Sequence, residues 1–367
     1  MQTSSPLIVH VRPELDRMAE YVPGESLEAF SKRTGIAIHD LVKLNSNESP
    51  YGPAPAVLRA LYAHSWYNNY PDTNAIALRT ALSAYTGLDG KYILLGHGSM
   101  EVISLLWQII LSAGDSVICC PPTFSLYTSV TVLCGASLIE VPRTADYEVD
   151  VEAIRVALKP ETKMIVLCSP NNPTGNPLAE TDVLALLDTG RIVVVDEAYV
   201  EFSERPKGLA HLVPLYDNLI VLRTLSKWAG LAGLRIGYGL FPEWIGGYMR
   251  RAQCPFEVNT AGHIAAIETL NDLDYVLGNV RKIITERKRL YQVLVSQPYL
   301  EPVPSQGNFI LARVRNGVSL QQVRAVVESH GILLRYFNTP YLHNFLRATV
   351  GLPEHTDKLA YALAAVD

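Results

Sequence analysis

Through the middle of the chain the apolar residues fall in short unbroken runs. YILLG (92–96), SVICC (116–120), MIVLC (164–168), RIVVVDEAY (191–199) and NLIVLRTLSK (218–227) each hold apolar residues at consecutive positions. A strand wet on one face alternates apolar with polar, whereas a strand covered on both faces is apolar throughout. These runs therefore predict parallel strands buried between two layers of helix. The intervening segments agree. SMEVISLLWQIILSAG after the first run has a helical pattern, and FSLYTSVTVLCG follows the second through PPT. Strand–helix alternation of this kind predicts an α/β fold with a doubly wound, mostly parallel sheet.

The last third has a different rhythm. A charged helical stretch runs from about Leu273 to Gln297, followed by NFILARV (308–314), GILLRYF (331–337) and LRATV (346–350), with a helix expected around 319–330. This predicts a second, smaller α/β domain. The expected division is an N-terminal arm that is also part of the small domain over 1–47, a large domain over 48–258 and a small C-terminal domain over 259–367. The segment before Asn45 is too short to fold alone and is expected to pack on the smaller domain.

Bulk properties narrow the function classes. The 367 residues are 49% hydrophobic and 18% charged, with a formal net charge of −5. That is an ordinary globular composition without a basic footprint for nucleic acid. No apolar run reaches the length of a membrane span, and the first residues lack the basic head and apolar core of a secretory leader. The five cysteines are odd in number and form no CxxC pair. They predict buried thiols in a cytoplasmic protein, with no disulfide framework and no metal.

Ligands of open α/β sheets bind beyond the carboxyl ends of the strands, and the polar and glycine-rich signals collect there. In LLGHGSMEV (94–102) a strand ends, Gly96 and Gly98 turn the chain, and a helix opens near Ser99. The Ser99 and Met100 amides would then point outward at a helix N-terminus, as an anion requires. SPNNPTG (169–175) fixes an irregular loop that presents Asn172. In VVVDEAY (193–199) Asp196 follows three valines directly, and a carboxylate so placed needs a cation or donors to meet it. Tyr199 lies three residues on. In TLSKWAGLAGLRIGYG (224–239) Lys227 closely follows a strand end, and the apolar run Ala229, Gly230, Leu231, Ala232, Gly233 and Leu234 lies between it and Arg235. A lysine in a partly dry, cationic pocket has a lowered pKa and attacks an aldehyde readily, while Ser226 and Arg235 suit a phosphate. A nucleophilic lysine, a buried acid for a protonated ring nitrogen and a phosphate cradle are the parts that pyridoxal phosphate requires.

The same strings carry a family resemblance over nearly the whole length: LNSNESPYGP (44–53), NNYPDTNAIALR (68–79), GHGSMEVI (96–103), SPNNPTG, VVVDEAY, SKWAGLAGLRIGYG and LRATVG (346–351). The chain resembles the fold type I, class I/II aminotransferases, and within them the histidinol-phosphate aminotransferases. The resemblance implies pyridoxal 5'-phosphate bound covalently to Lys227. Asp196 would pair with its pyridine nitrogen, Tyr199 and Asn172 with its ring hydroxyl, and Phe124 would stack on its face. The Ser99 and Met100 amides, Ser226 and Arg235 would hold its phosphate, joined by Tyr70 from the partner subunit of a homodimer. Arg347 would fork onto the substrate carboxylate, with Arg335 and Tyr21 at the substrate's distal end. The implied reaction moves the amino group of L-histidinol phosphate to 2-oxoglutarate, a step of histidine biosynthesis. The alternatives are an aromatic or other amino-acid aminotransferase and, in a different class, a decarboxylase of the threonine-phosphate type. The chain departs from the usual strings at His97, Met100 and Asn69. His97 is read as structural, and the amide contacts at Met100 do not depend on its side chain.

Overall fold

The computed structural model describes residues 10–18, 20 and 23–366, the side chain of Arg17 excepted. Its large sheet has seven strands in the order Ile93–His97, Ile236–Leu240, Leu219–Thr224, Ile192–Asp196, Thr162–Cys168, Ser116–Cys119 and Ser137–Glu140. All neighbours run parallel except Ile236–Leu240, which is antiparallel to both of its partners. The unbroken apolar runs have a direct explanation. Val193 and Val195 enter one core and Val194 the opposite one; Ile165 and Leu167 likewise part from Met164, Val166 and Cys168. Each face of the sheet is thus covered, and both sides of the pleat must be apolar.

Two strands of the large sheet escaped the hydrophobic pattern, as did the short strands Val42–Lys43 and Leu300–Pro302 outside it. Ser137–Glu140 is a half-exposed edge strand with no run to mark it. Ile236–Leu240 reads IGYGL, and its glycines make close approaches. A Cβ on Gly237 would run into the backbone at Gly98 and Ser99. The Thr260–Asn271 helix was also not apparent. It lies against the Pro55–Ala63 and Ile76–Thr86 helices.

The second sheet is antiparallel, in the order Arg335–Thr339, Leu342–Thr349, Phe309–Val314 and Leu300–Pro302. The Leu273–Val295 helix packs on Phe309–Val314 and Leu300–Pro302, and the Leu320–Ser329 helix on Leu342–Thr349. The latter helix opens with a Ser319–Gln322 capping box and buries Leu320, Val323 and Val327 at helical spacing. GILLRYF, expected as one strand, divides between two sheets. Ile332–Leu333 pairs in parallel with Val42–Lys43, while Arg335–Thr339 joins the four-stranded sheet. Beyond Val42–Lys43 the chain stays tied to the small sheet. Thr349 N–H donates to Leu44 O, the Asn47 amide to Thr349 Oγ1 and Asn308 Nδ2 to Asn47 O. This carries residues 44–47 to the mouth of the large sheet. Earlier in the chain, the Pro13–Arg17 turn lies instead on the Leu126–Leu133 helix, where Arg12 donates to Leu133 O.

Candidate active site

Strand register assembles the site. Asp196 is level with Cys168 on one side and Leu222 on the other. The Asp196 strand end, the SPNNPTG loop and the Lys227 turn therefore emerge side by side.

Asp196 is 4% exposed. Its Oδ2 accepts from the Tyr127 hydroxyl at 2.8 Å and its Oδ1 from the Ala198 amide at 3.1 Å. Burial pushes the carboxyl up to about 6, against the pull of those two donors. Lys227 is half-buried and donates to Ser46 O at 3.0 Å. Burial, then the Arg347 guanidinium, push its ammonium down to about 8. The neutral, nucleophilic form is therefore more abundant at pH 7 than in an ordinary lysine. Gly230, at φ +71°, packs where a Cβ would strike the Gly52 carbonyl. The small residues after Lys227 thus let the lysine turn press against the LNSNESPYGP segment.

An anion cradle faces the lysine turn. Gly98, at φ +77°, precedes the Ser99–Ile110 helix, and a Cβ on it would run into the Arg235 guanidinium. Ser226 is buried in the same turn as Lys227, with Oγ 2.9 Å from Thr224 Oγ1 and its amide bonded to that hydroxyl. Arg235 donates to Ala232 O at 3.2 Å and, among the described residues, is in no ion pair. Open helix amides, a hydroxyl and a guanidinium without a counter-ion form the donor set of a phosphate site. With the buried acid and the acidified lysine, this set fits pyridoxal phosphate.

The second cation group sits on the small sheet. Arg347, 7% exposed, donates to Asn172 Oδ1 at 2.6 Å and Asn45 O at 2.9 Å. Arg335 is directly opposite Arg347 in the antiparallel pair. Both guanidinium carbons lie 5.9 Å from the centre of the Phe337 ring. The register thus puts two guanidinium groups, each able to fork onto a carboxylate or phosphate, on one face of the small sheet. Tyr199 accepts at its hydroxyl from Asn47 Nδ2 at 3.0 Å and meets Phe309 edge-on at 5.0 Å. Burial holds its phenol well above the usual range. Phe124 is half-buried and edge-on to Tyr127 at 5.7 Å.

Ser99, Ser226, Lys227, Arg235, Asp196, Tyr199, Asn172 and Phe124 thus stand in segments that follow strands of the large sheet or at their ends, while Arg347 reaches Asn172 from within the Leu342–Thr349 strand of the small sheet, with Arg335 opposite it. Met100 is exposed beside Ser99. Tyr70 is 80% exposed and stacks on Phe256 at 4.3 Å. Tyr21 lies outside the described residues. His97 is exposed, and its amide donates to Glu101 at 2.6 Å. Sequence reasoning missed Tyr127 and Asn47, the hydrogen-bond partners of Asp196 and Tyr199. Asn47 adopts the left-handed conformation at φ +55°, a state that asparagine tolerates. Tyr127 stands three residues beyond Phe124 on a helix, and only the fold brings it to Asp196.

The profile of the family described as aminotransferase class I and II matches residues 39–365, and the chain belongs to that family. Its relatives include the histidinol-phosphate aminotransferase of Dehalococcoides mccartyi strain ATCC BAA-2266, 42% identical over 96% of this chain and 97% of the relative. That of Roseiflexus castenholzii is 41% identical over 97% and 98%. Among solved structures, the histidinol-phosphate aminotransferase of Sinorhizobium meliloti in complex with pyridoxal 5'-phosphate superposes with a TM-score of 0.86. It is 27% identical, and the match covers 97% of each chain.

Proposed function

We propose that this chain is a pyridoxal-phosphate-dependent aminotransferase that moves the amino group of L-histidinol phosphate to 2-oxoglutarate, giving imidazole acetol phosphate and L-glutamate. The observation that carries this reading is the order of charge around Lys227: a buried acid, a cation-lined anion cradle, and two arginines facing each other across a strand pair.

In this reading Lys227 holds the cofactor, and the Ser99 and Met100 amides, Ser226 and Arg235 hold its phosphate. Phe124 covers one ring face. Asp196 pairs with the pyridine nitrogen and keeps it protonated. Tyr199 accepts from Asn47, so its own proton is the one it can give to the ring hydroxyl. Asn172 accepts from Arg347 through Oδ1, so Nδ2 is its end for donation. When bound, pyridoxal phosphate supplies an electron sink for the substrate Cα. Lys227 Nζ, with its midpoint near neutrality, takes the Cα proton and returns it. Arg347 orients the carboxylate of the acceptor, and Arg335 with Tyr21 receives the phosphate of the donor.

A homodimer completes the site with Tyr70 of the partner subunit. Leu58, Tyr62, Trp66, Tyr70 and Ile76 are all exposed within one short stretch, which supports a covered surface there. No helix among the described residues is long and apolar enough to cross a membrane. All five cysteines are free thiols, which goes with a cytoplasmic location. Cys254 is exposed, against the expectation that the thiols are buried. The test is an amino-donor panel with 2-oxoglutarate, reading glutamate. If phenylalanine turns over and histidinol phosphate does not, the donor is wrong. Carbon dioxide released without any keto acid indicates the decarboxylase.

A further inference from the structure

Beneath the Lys227 turn lies a buried polar cluster that the proposed chemistry does not use. Glu201 is 4% exposed, two residues after Tyr199. Its Oε1 accepts from the Tyr85 hydroxyl at 3.2 Å. The Tyr85 ring stacks on Trp228 at 5.3 Å with an interplanar angle of 14°. Trp228 is 1% exposed and adjoins Lys227 in the chain. Among the described residues, Glu201 Oε2 and Trp228 Nε1 are buried here without a hydrogen-bond partner. The neighbouring Glu197–Arg223 pair, at 2.8 Å, is equally buried and fastens the Asp196 strand end to the adjacent strand.

We propose that Glu201 is a positioning residue for Lys227: its carboxyl fixes the Tyr85 hydroxyl, and the Tyr85 ring sets the indole from which the lysine turn is built. Two elements of the site converge on this one side chain. Glu201 follows Tyr199 on one chain segment and reaches the neighbour of Lys227 through the other. A buried group left half-satisfied is costly, and this one lies beneath the nucleophile, where the position of Trp228 bears directly on Lys227.

The charge state follows from what faces the carboxyl. Glu197, Arg223, Tyr85 and Tyr238 act on it, and Arg287 of the Leu273–Val295 helix packed on this turn donates to the adjoining Phe202 O. Burial pushes the carboxyl up to about 8, with Arg223 opposing and Glu197 adding to the rise. The carboxyl is thus mostly neutral at pH 7, when the unpartnered Oε2 carries no dry anionic charge. A raised folded-state midpoint means that stability is fully present at low pH and declines as pH rises toward that midpoint.

The inference rests on reading Lys227 as the cofactor-bearing lysine, and its test separates the two. Glu201→Gln keeps an uncharged acceptor for Tyr85, and Glu201→Leu removes it. Thermal unfolding of the apo-proteins is followed from about pH 5 to about pH 9. The parent chain should lose stability relative to Glu201→Gln as pH rises to 8, because only the parent has a carboxyl to ionise. A constant difference overturns the neutral carboxyl. Reductive methylation of apo-protein, mapped by peptide, then gives the titration midpoint of Lys227. Glu201→Gln should keep it, and Glu201→Leu should move it by about half a pH unit or more. With pyridoxal phosphate added, Glu201→Leu should lose kcat about tenfold at nearly constant KM, and Glu201→Gln should recover most of it. A folded Glu201→Leu protein with the parent's midpoint and kcat overturns the positioning role. If Glu201→Leu does not fold, Tyr85→Phe, which deletes only the hydroxyl, is judged by the same readings. If the parent takes up no pyridoxal phosphate, the cofactor reading falls, while the apo-protein midpoints still decide the role of Glu201.

Discussion

The hydroxyl of Tyr127 is a single atom whose removal tests the electrostatics of the site. Tyr127→Phe deletes the donor to Asp196 Oδ2 and keeps the ring that packs beside Trp107 and Phe124. Asp196 then has one donor left, the Ala198 amide. A hydrogen bond to a charged, buried carboxylate contributes about 1.5–3 kcal/mol. Losing it raises the carboxyl midpoint from about 6 to roughly 7–8. Burial already places that midpoint above its unfolded value, so the acid's contribution to stability falls as pH rises. In the parent apo-protein this decline is over by about pH 6; in Tyr127→Phe it continues to roughly pH 8. Denaturant unfolding of both apo-proteins at pH 5 and pH 8 reads the difference directly. The variant's deficit should be larger by about 1.5–3 kcal/mol at the higher pH. Affinity for pyridoxal phosphate should fall roughly two- to tenfold at pH 7, because the acid must be charged to pair with a protonated ring nitrogen. A deficit that does not change with pH, together with parent-like affinity, would refute the assignment of Tyr127 as the group that keeps Asp196 ionised.

Three further outcomes follow from the same geometry. Lys227→Ala should fold normally and lose all measurable turnover; borohydride reduction of the parent with pyridoxal phosphate, followed by peptide mapping, should find the label on Lys227 and on no other lysine. Arg347→Lys replaces a planar fork that holds Asn172 and Asn45 O with a point charge. KM for 2-oxoglutarate should rise about 10- to 100-fold, and an unchanged KM would show that the carboxylate binds elsewhere. Glu197→Ala strands the Arg223 guanidinium in the core, and urea unfolding should show a loss of about 3–5 kcal/mol, whereas Glu197→Ala stability equal to the parent's would mean that Arg223 finds another partner.

The chain sequence was most legible where packing constrains every position. The valines of VVVD had to be apolar because successive side chains enter opposite cores, so both the strand and its buried, parallel setting could be read from them. It was least legible where one side of an element is open. SLIE at the sheet edge is half-exposed and leaves no run. GILLRYF is one apolar stretch whose division depends on which strands come alongside, and nothing local marks the break.

The candidate site divides in the same way. Lys227, Asp196, SPNNPTG and the GHGSM turn announce themselves because a charged or irregular residue at the end of a buried strand has few reasons to be there. Their physical state is a property of the fold alone. The lowered midpoint of Lys227 comes from burial and from Arg347, more than a hundred residues away. The midpoint of Asp196 comes from burial opposed by Tyr127, sixty-nine residues away. Arg335 and Arg347 became a facing pair only through strand register. Sequence determined which chemistry the strand ends carry, because residue type and strand termination are local. Tertiary structure decided protonation, pairing and orientation, because desolvation and charge act through space between segments that the chain keeps far apart.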